Sequence, residues 1–208
     1  MILITIEGLI GVGKTTLLNK LKKIYTNISF IDEPLNEWLK LVDNDDKNIL
    51  DKFYSDQQRW SYSFQMHAFI TRIQNIQKMI KTSTNKIFIM ERSILTDRNV
   101  FAHLLYESGK LSKLEWELYN NWYNWLIETF KYIIPTHFIY LKINSDIAHK
   151  RIKLRNRLEE QNISLTYLDQ LNIKYNEWLH DKNVFVIDAS KDIDINIKLI
   201  EKYINVYI

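Results

Sequence analysis

Four glycines occur in this 208-residue chain, and three of them, Gly8, Gly11 and Gly13, fall in one short stretch that also holds Lys14, Thr15 and Thr16. The stretch Gly8-Leu9-Ile10-Gly11-Val12-Gly13-Lys14-Thr15 fits the pattern G-x-x-x-x-G-K-[ST]. Glycines open backbone conformations that let successive N–H groups, those of Ile10, Val12 and Gly13 among them, turn inward around phosphate oxygens. A helix opening near Gly13 adds the positive end of its dipole. Lys14 supplies a cation for β- and γ-phosphates, and the Thr15 hydroxyl is a ligand for the Mg2+ that bridges them. A plain glycine turn between strand and helix does not explain why a scarce residue is concentrated here. The stretch reads as a nucleoside triphosphate site, with ATP the expected occupant.

Other reactive side chains follow apolar runs. Glu33 comes just after Ile28–Asp32 and before Pro34, which holds it extended at the run's carboxyl end. An ionised carboxylate there either takes the proton of an attacking hydroxyl or is an ordinary turn residue. Glu91 and Arg92 follow Lys86–Met90. Glu91 can reach magnesium directly or through water, and Arg92 can brace Glu33 or the transferring phosphoryl group. A salt bridge between neighbouring elements is the other reading of that pair. Arg151, Arg155 and Arg157 belong to a helical stretch capped at Asn144 or Ser145. They suit a lid closing over ATP, or a solvated surface.

These groups need a frame. Ile2–Ile6, Ile28–Asp32, Lys86–Met90, Thr136–Lys142 and Val184–Asp188 have the composition of buried strands. Apolar periodicity predicts one long helix over Lys47–Lys81, then helices over Thr96–Glu107, Ser112–Tyr132, Leu165–Asp181 and Ile193–Tyr203, with Pro135 closing the third. Strands alternating with helices imply an α/β fold: a parallel sheet of about five strands flanked by helices, in a single domain spanning 1–208. Its carboxyl edge would gather the glycine loop, Glu33, Glu91, Arg92, the arginine helix and Asp188.

Composition narrows the partners. Hydrophobic content is 46%, charge 25% and net charge +3, with basic residues spread along the chain, so no nucleic-acid polymer is expected. The absence of cysteine rules out disulfides and thiolate metal sites and suits a reducing compartment, the cytoplasm. His67, His103, His137, His149 and His180 show no ligand-like pairing. No apolar run is long enough to span a bilayer, so no membrane partner is expected.

The segments IEGLIGVGKTT, DEPLNEW, RWSYSFQ, ERSILTDRNVFA, RIKLRNRLEEQNISLTYLDQL and VIDASKDI, in this order and spacing, resemble the deoxynucleoside kinase family over nearly the whole chain, in its deoxycytidine, deoxyguanosine and insect multisubstrate branch. The resemblance implies a P-loop kinase with a small arginine-bearing lid. It makes Glu33 the base for a nucleoside 5'-hydroxyl with Arg92 beside it, Gln65 the amide facing the base, and Phe64 and Phe101 its aromatic walls. It gives Tyr54 and Glu160 the sugar 3'-hydroxyl, Arg151, Arg155 and Arg157 the phosphates, and Asp192 a loop touching the donor's adenine. Gln65 alone offers donor and acceptor to any base. Arg72 and Asp97 align with positions that are charged in deoxycytidine and deoxyguanosine kinases but apolar and small in thymidine-accepting enzymes, implying weaker use of thymidine; a structural ion pair beneath the site is the other reading. Leu9 and Asn156 depart from the family's pattern, Leu9 at a variable loop position and Asn156 between two lid arginines, where asparagine tolerates left-handed backbone.

The expectation is therefore an ATP- and Mg2+-dependent deoxynucleoside kinase, and the resemblance implies a homodimer through helices, for which the aromatic stretch Trp116–Trp125 offers a surface unless it is simply core packing. Its rivals are a thymidylate-type kinase, which needs added cations for an acceptor monophosphate, and a P-loop regulatory switch, for which no Asn-Lys-x-Asp signature is present.

Overall fold

The five apolar runs form strands in a computed structural model, which describes residues 1–208. They are β1 (Ile2–Gly8), β2 (Ser29–Ile31), β3 (Ile87–Glu91), β4 (His137–Lys142) and β5 (Val184–Asp188). All pairings are parallel, in the order β2-β3-β1-β4-β5. The central strand β1 sets Ile4 opposite Ile89 on one side and His137 on the other. Its side chains alternate between two apolar layers, as the twofold period of a strand requires. Leu3 packs with Phe69, Ile73 and Ile76 of α4 (Gln57–Thr82) and Leu126 of α7 (Lys113–Thr129). Ile4 and Ile6 pack with Leu17, Leu18 and Leu21 of α1 (Lys14–Ile24) and Ile197, Ile200 and Ile204 of α10 (Ile193–Ile204). Helices therefore cover both faces of the sheet.

A third apolar group lies beside the sheet. It joins Trp38 of α2 (Leu35–Lys40), Leu50 and Phe53 of α3 (Ile49–Ser55), Phe64 and Ala68 of α4, and Trp116 and Tyr119 of α7. Two features here differ from the sequence expectation. The helix α2 has no counterpart in it, and the long helix over Lys47–Lys81 is two helices divided at Asp56. That residue ends α3, adopts φ −144° and caps α4 by accepting a hydrogen bond from Arg59 N at 3.1 Å. A side chain that satisfies the next helix's orphan N–H makes a break as effective as glycine or proline. Asn48 opens α3 with a reciprocal capping box to Asp51.

After β3, the chain runs through α5 (Ile94–Thr96), a π-helical turn over Asp97–Ala102 and α6 (His103–Glu107). This helical stretch begins two residues before the expected Thr96, and single π turns of this kind gather at functional sites. The helix expected to reach Tyr132 stops at Thr129, and a short 3-10 turn over Lys131–Ile133 intervenes before Pro135. Downstream of β4 come α8 (Ser145–Arg155) and α9 (Leu165–Leu179). Asn144 occupies the N-cap of α8 but its side chain makes no capping bond. Arg157, expected on that helix, lies beyond its end, because Asn156 adopts the left-handed conformation (φ 50°) that terminates it. No helix is long and apolar enough to cross a membrane.

Candidate active site

A cavity of about 360 Å³ opens at the carboxyl edge of β1, β2 and β3. Ile10, Gly11, Lys14 and Thr15 line it from the glycine loop, Glu33 from beyond β2, and Glu91, Arg92, Asp97 and Phe101 from the end of β3 and the π turn. Tyr54, Phe64, Gln65 and Arg72 come from α3 and α4, and Arg155, Arg157 and Glu160 from the segment after α8. Of the expected ATP-site residues, Gly8, Val12, Gly13 and Thr16 belong to the loop or its helix without lining this cavity. Arg151 and Asp192 stand apart from it as well.

The loop is held by its own polar groups. Lys14 Nζ donates to the carbonyls of Gly8 (3.1 Å) and Leu9 (2.8 Å). Burial draws the Lys14 ammonium down to about 7, Arg92 adding to the effect and Glu91, Glu33 and Glu7 opposing it. Gly11 has φ +80°, and a Cβ there would stand 2.6 Å from the Ala148 carbonyl, so only glycine lets the loop lie against α8. Leu9 is buried among core residues, which explains an apolar side chain in the loop. The Arg151 guanidinium donates to Val12 O (3.0 Å) and Ala189 O (3.1 Å), tying the loop to the segment after β5. Asp192 caps α10 by accepting from Asp194 N at 2.8 Å.

Four ionised side chains form a continuous chain in the cavity wall. Asp97 accepts two bonds from Arg72, 2.8 Å from Nε and 3.2 Å from Nη2. Arg72 Nη2 also reaches Glu33 Oε1 at 3.1 Å, and Arg92 Nη1 contacts both Glu33 oxygens at 3.0 and 3.1 Å. Burial pushes the Glu33 carboxyl up, but the charges of Arg92, Arg72 and Lys14 outweigh it and hold the group at about 2. Arg92 is further fixed by the Tyr175 hydroxyl (3.3 Å) and lies over the Phe101 ring at 5.0 Å. It does so in the left-handed region (φ 59°), a conformation that costs a non-glycine residue about 1–2 kcal/mol. Such strain persists where surrounding contacts over-determine it.

Thr15 Oγ1 donates to Glu91 Oε2 at 2.8 Å, so the two oxygens proposed for metal ligation already converge beside Lys14. Glu160 is buried, and its carboxylate is bound by Arg155 and Arg157. Gln65 is also buried, three residues along α4 from Ala68, and Phe64 packs between Phe53 (4.6 Å between ring centres) and the edge of Trp38 (5.3 Å). Trp38, Leu50, Phe53 and Ala68 complete the apolar wall. None of the four is a site residue in the sequence reading: the helical spacing marks Ala68 only as an apolar position, and the others depend on the division of α2, α3 and α4.

The family described as deoxynucleoside kinase matches residues 4–206. The chain belongs to that family. As a deoxynucleoside kinase it is a phosphotransferase that uses ATP and acts on a deoxynucleoside hydroxyl. A probable deoxycytidine kinase of fowlpox virus is 38% identical to this kinase over 86% of the present chain and 72% of its own. Human deoxycytidine kinase is 33% identical over 85% and 74%, and a Xenopus laevis protein named mitochondrial deoxyguanosine kinase is 33% identical over 88% and 75%.

Proposed function

We propose that this kinase transfers the γ-phosphoryl group of ATP to the 5'-hydroxyl of deoxycytidine or a purine deoxynucleoside in preference to thymidine. The observation that carries the reading is the Asp97–Arg72–Glu33–Arg92 chain, which joins the specificity pair to the reacting carboxylate in the wall of the cavity that also holds Gln65 and Lys14. Arg72 cannot be exchanged for an apolar residue without loosening Glu33. A charged pair also occupies space that a thymine methyl needs. The names of the relatives support this choice of base.

In this reading Gln65 pairs with the base edge between Phe64 and Phe101, while Tyr54 and Glu160 take the sugar 3'-hydroxyl. Glu33 accepts a hydrogen bond from the 5'-hydroxyl and orients its lone pair at the γ-phosphorus. A carboxyl held near 2 draws a proton weakly in the ground state, so proton transfer to it comes late, as the forming P–O bond acidifies the hydroxyl. Lys14, Arg92, Arg155 and Arg157 face the charge on the transferring group, the last two leaving Glu160 to do so. Arg151 shapes the loop through Val12, and Asp192 lies in the segment next to the adenine. Thr15 and Glu91 form an all-oxygen pair suited to Mg2+, which when bound neutralises phosphate charge. Arg72 is occupied by Asp97 and Glu33, which disfavours an acceptor that already carries a phosphate.

The test is ATP-dependent phosphorylation of the four natural deoxynucleosides and thymidine monophosphate side by side, with and without EDTA. Activity on deoxycytidine or purines with poor thymidine use, lost to EDTA and restored by Mg2+, is the expected result. Dominant thymidine use overturns the role given to Arg72 and Asp97, and product from the monophosphate alone makes the protein a nucleotide kinase. A homodimer through α7 and a cytoplasmic location, the latter resting on the cysteine-free composition, belong to the same proposal.

A further inference from the structure

One buried carboxylate has no part in the reaction as described. Glu7 lies on the central strand β1, next to the glycine loop, and is fully buried. A carboxylate at the middle of a sheet is costly, and an apolar β-branched side chain would fill the place without desolvating a charge. Glu7 is instead the centre of a hydroxyl cluster. Its Oε1 accepts from Thr5 Oγ1 (2.7 Å), Thr96 Oγ1 (2.6 Å) and Ser93 Oγ (3.3 Å), while Oε2 has no partner. Ser93 N donates to Thr96 Oγ1 at 3.2 Å, and Arg92 N donates to the carbonyl of Ile6 at 3.1 Å.

The two donors from beyond β3 flank the residues that matter. Ser93 directly follows Arg92, which is held at positive φ, and Thr96 directly precedes Asp97, the partner of Arg72. We propose that Glu7 is a positioning residue for phosphoryl transfer: it clamps residues 93–96 to the strand that carries the phosphate loop, and so fixes Arg92 and Asp97 at their places on the Glu33 ion-pair chain. The proposal rests on the role given above to Arg92.

The experiment uses the full chain and reads kcat, the KM for ATP and the urea-unfolding midpoint of Glu7→Ala, Glu7→Gln, Thr96→Val and Thr96→Ser, in the parent and in an Arg92→Lys background. Because displacement of a positioned group by about 1 Å costs on the order of 100-fold, Glu7→Ala should lower kcat by roughly that factor and change the KM for ATP by less than about threefold. Glu7→Gln keeps an acceptor oxygen and should recover kcat to within about tenfold of the parent. Thr96→Val should follow Glu7→Ala while Thr96→Ser restores activity, and this pair decides the matter where Glu7→Ala does not fold. In the Arg92→Lys background, the loss from Glu7→Ala or Thr96→Val should shrink to less than about threefold, since groups that act through one another are not additive. Equal losses in both backgrounds, or losses that track the unfolding midpoint alone, overturn the positioning role. Parental kcat in Arg92→Lys itself overturns the assignment of Arg92, a separate failure, and the proposal with it.

Discussion

Glu33 carries two predictions at the scale of the single residue. Removal of a positioned proton acceptor typically costs about 10²- to 10⁴-fold, so Glu33→Gln should lower kcat by that range with the KM for ATP little changed, measured by steady-state kinetics. The same carboxylate makes stability depend on pH. Its folded value of about 2 lies below the ordinary 4.5, so its contribution is fully present above pH 4.5 and is lost as pH falls towards 2. Glu33→Gln should therefore be less stable than the parent at pH 7, with the gap in urea-unfolding midpoints closing between pH 4.5 and 2. A gap constant over that window would mean that Arg72 and Arg92 do not hold the carboxylate down. Glu33, Glu91 and Arg92 were legible in the sequence because each follows an apolar run, where strand ends are marked by a change of polarity. The left-handed backbone of Arg92 and the double engagement of Arg72 were not. Both arise from contacts between segments far apart in the chain, and no local pattern encodes them.

At the scale of elements, the glycine loop and α8 test each other. Gly11 and Gly109 both have positive φ, but a Cβ at Gly109 meets nothing within 4 Å, whereas at Gly11 it meets the Ala148 carbonyl and the Ile152 side chain. Gly109→Ala should cost only the left-handed penalty, about 1–2 kcal/mol. Gly11→Ala should cost more and raise the KM for ATP as well, seen by thermal unfolding and kinetics; equal costs would mean that α8 yields to the loop. The strands were readable to within two residues at each end, since apolar β-branched runs bounded by turn residues leave little choice. Helix boundaries on the acceptor side were not, because the break at Asp56 depends on a side-chain cap within an unbroken helical pattern. The π turn was equally hidden, although Phe101 and Asp97 reach the cavity from it.

For the whole molecule, the proposed homodimer rests on α7. Trp116, Tyr119 and Leu126 are buried, but Leu118, Trp122 and Trp125 are 41%, 50% and 54% exposed and lie on one helical face. If that face joins two copies, sedimentation should give twice the chain's mass, and Trp122→Glu should return the protein to a monomer that remains folded. A parent that sediments as a monomer removes the proposal. The strand order has a consequence of another kind. The strand made first, β1, lies at the centre of the sheet, and its neighbours begin only at Ile87 and His137. At a synthesis rate of about 5–20 residues per second, the nascent chain carries its central strand without a partner on either side for several seconds. Productive folding on the ribosome therefore waits on codons far downstream, and a chaperone that shields Ile2–Ile6 during that interval should raise the folded yield of this kinase.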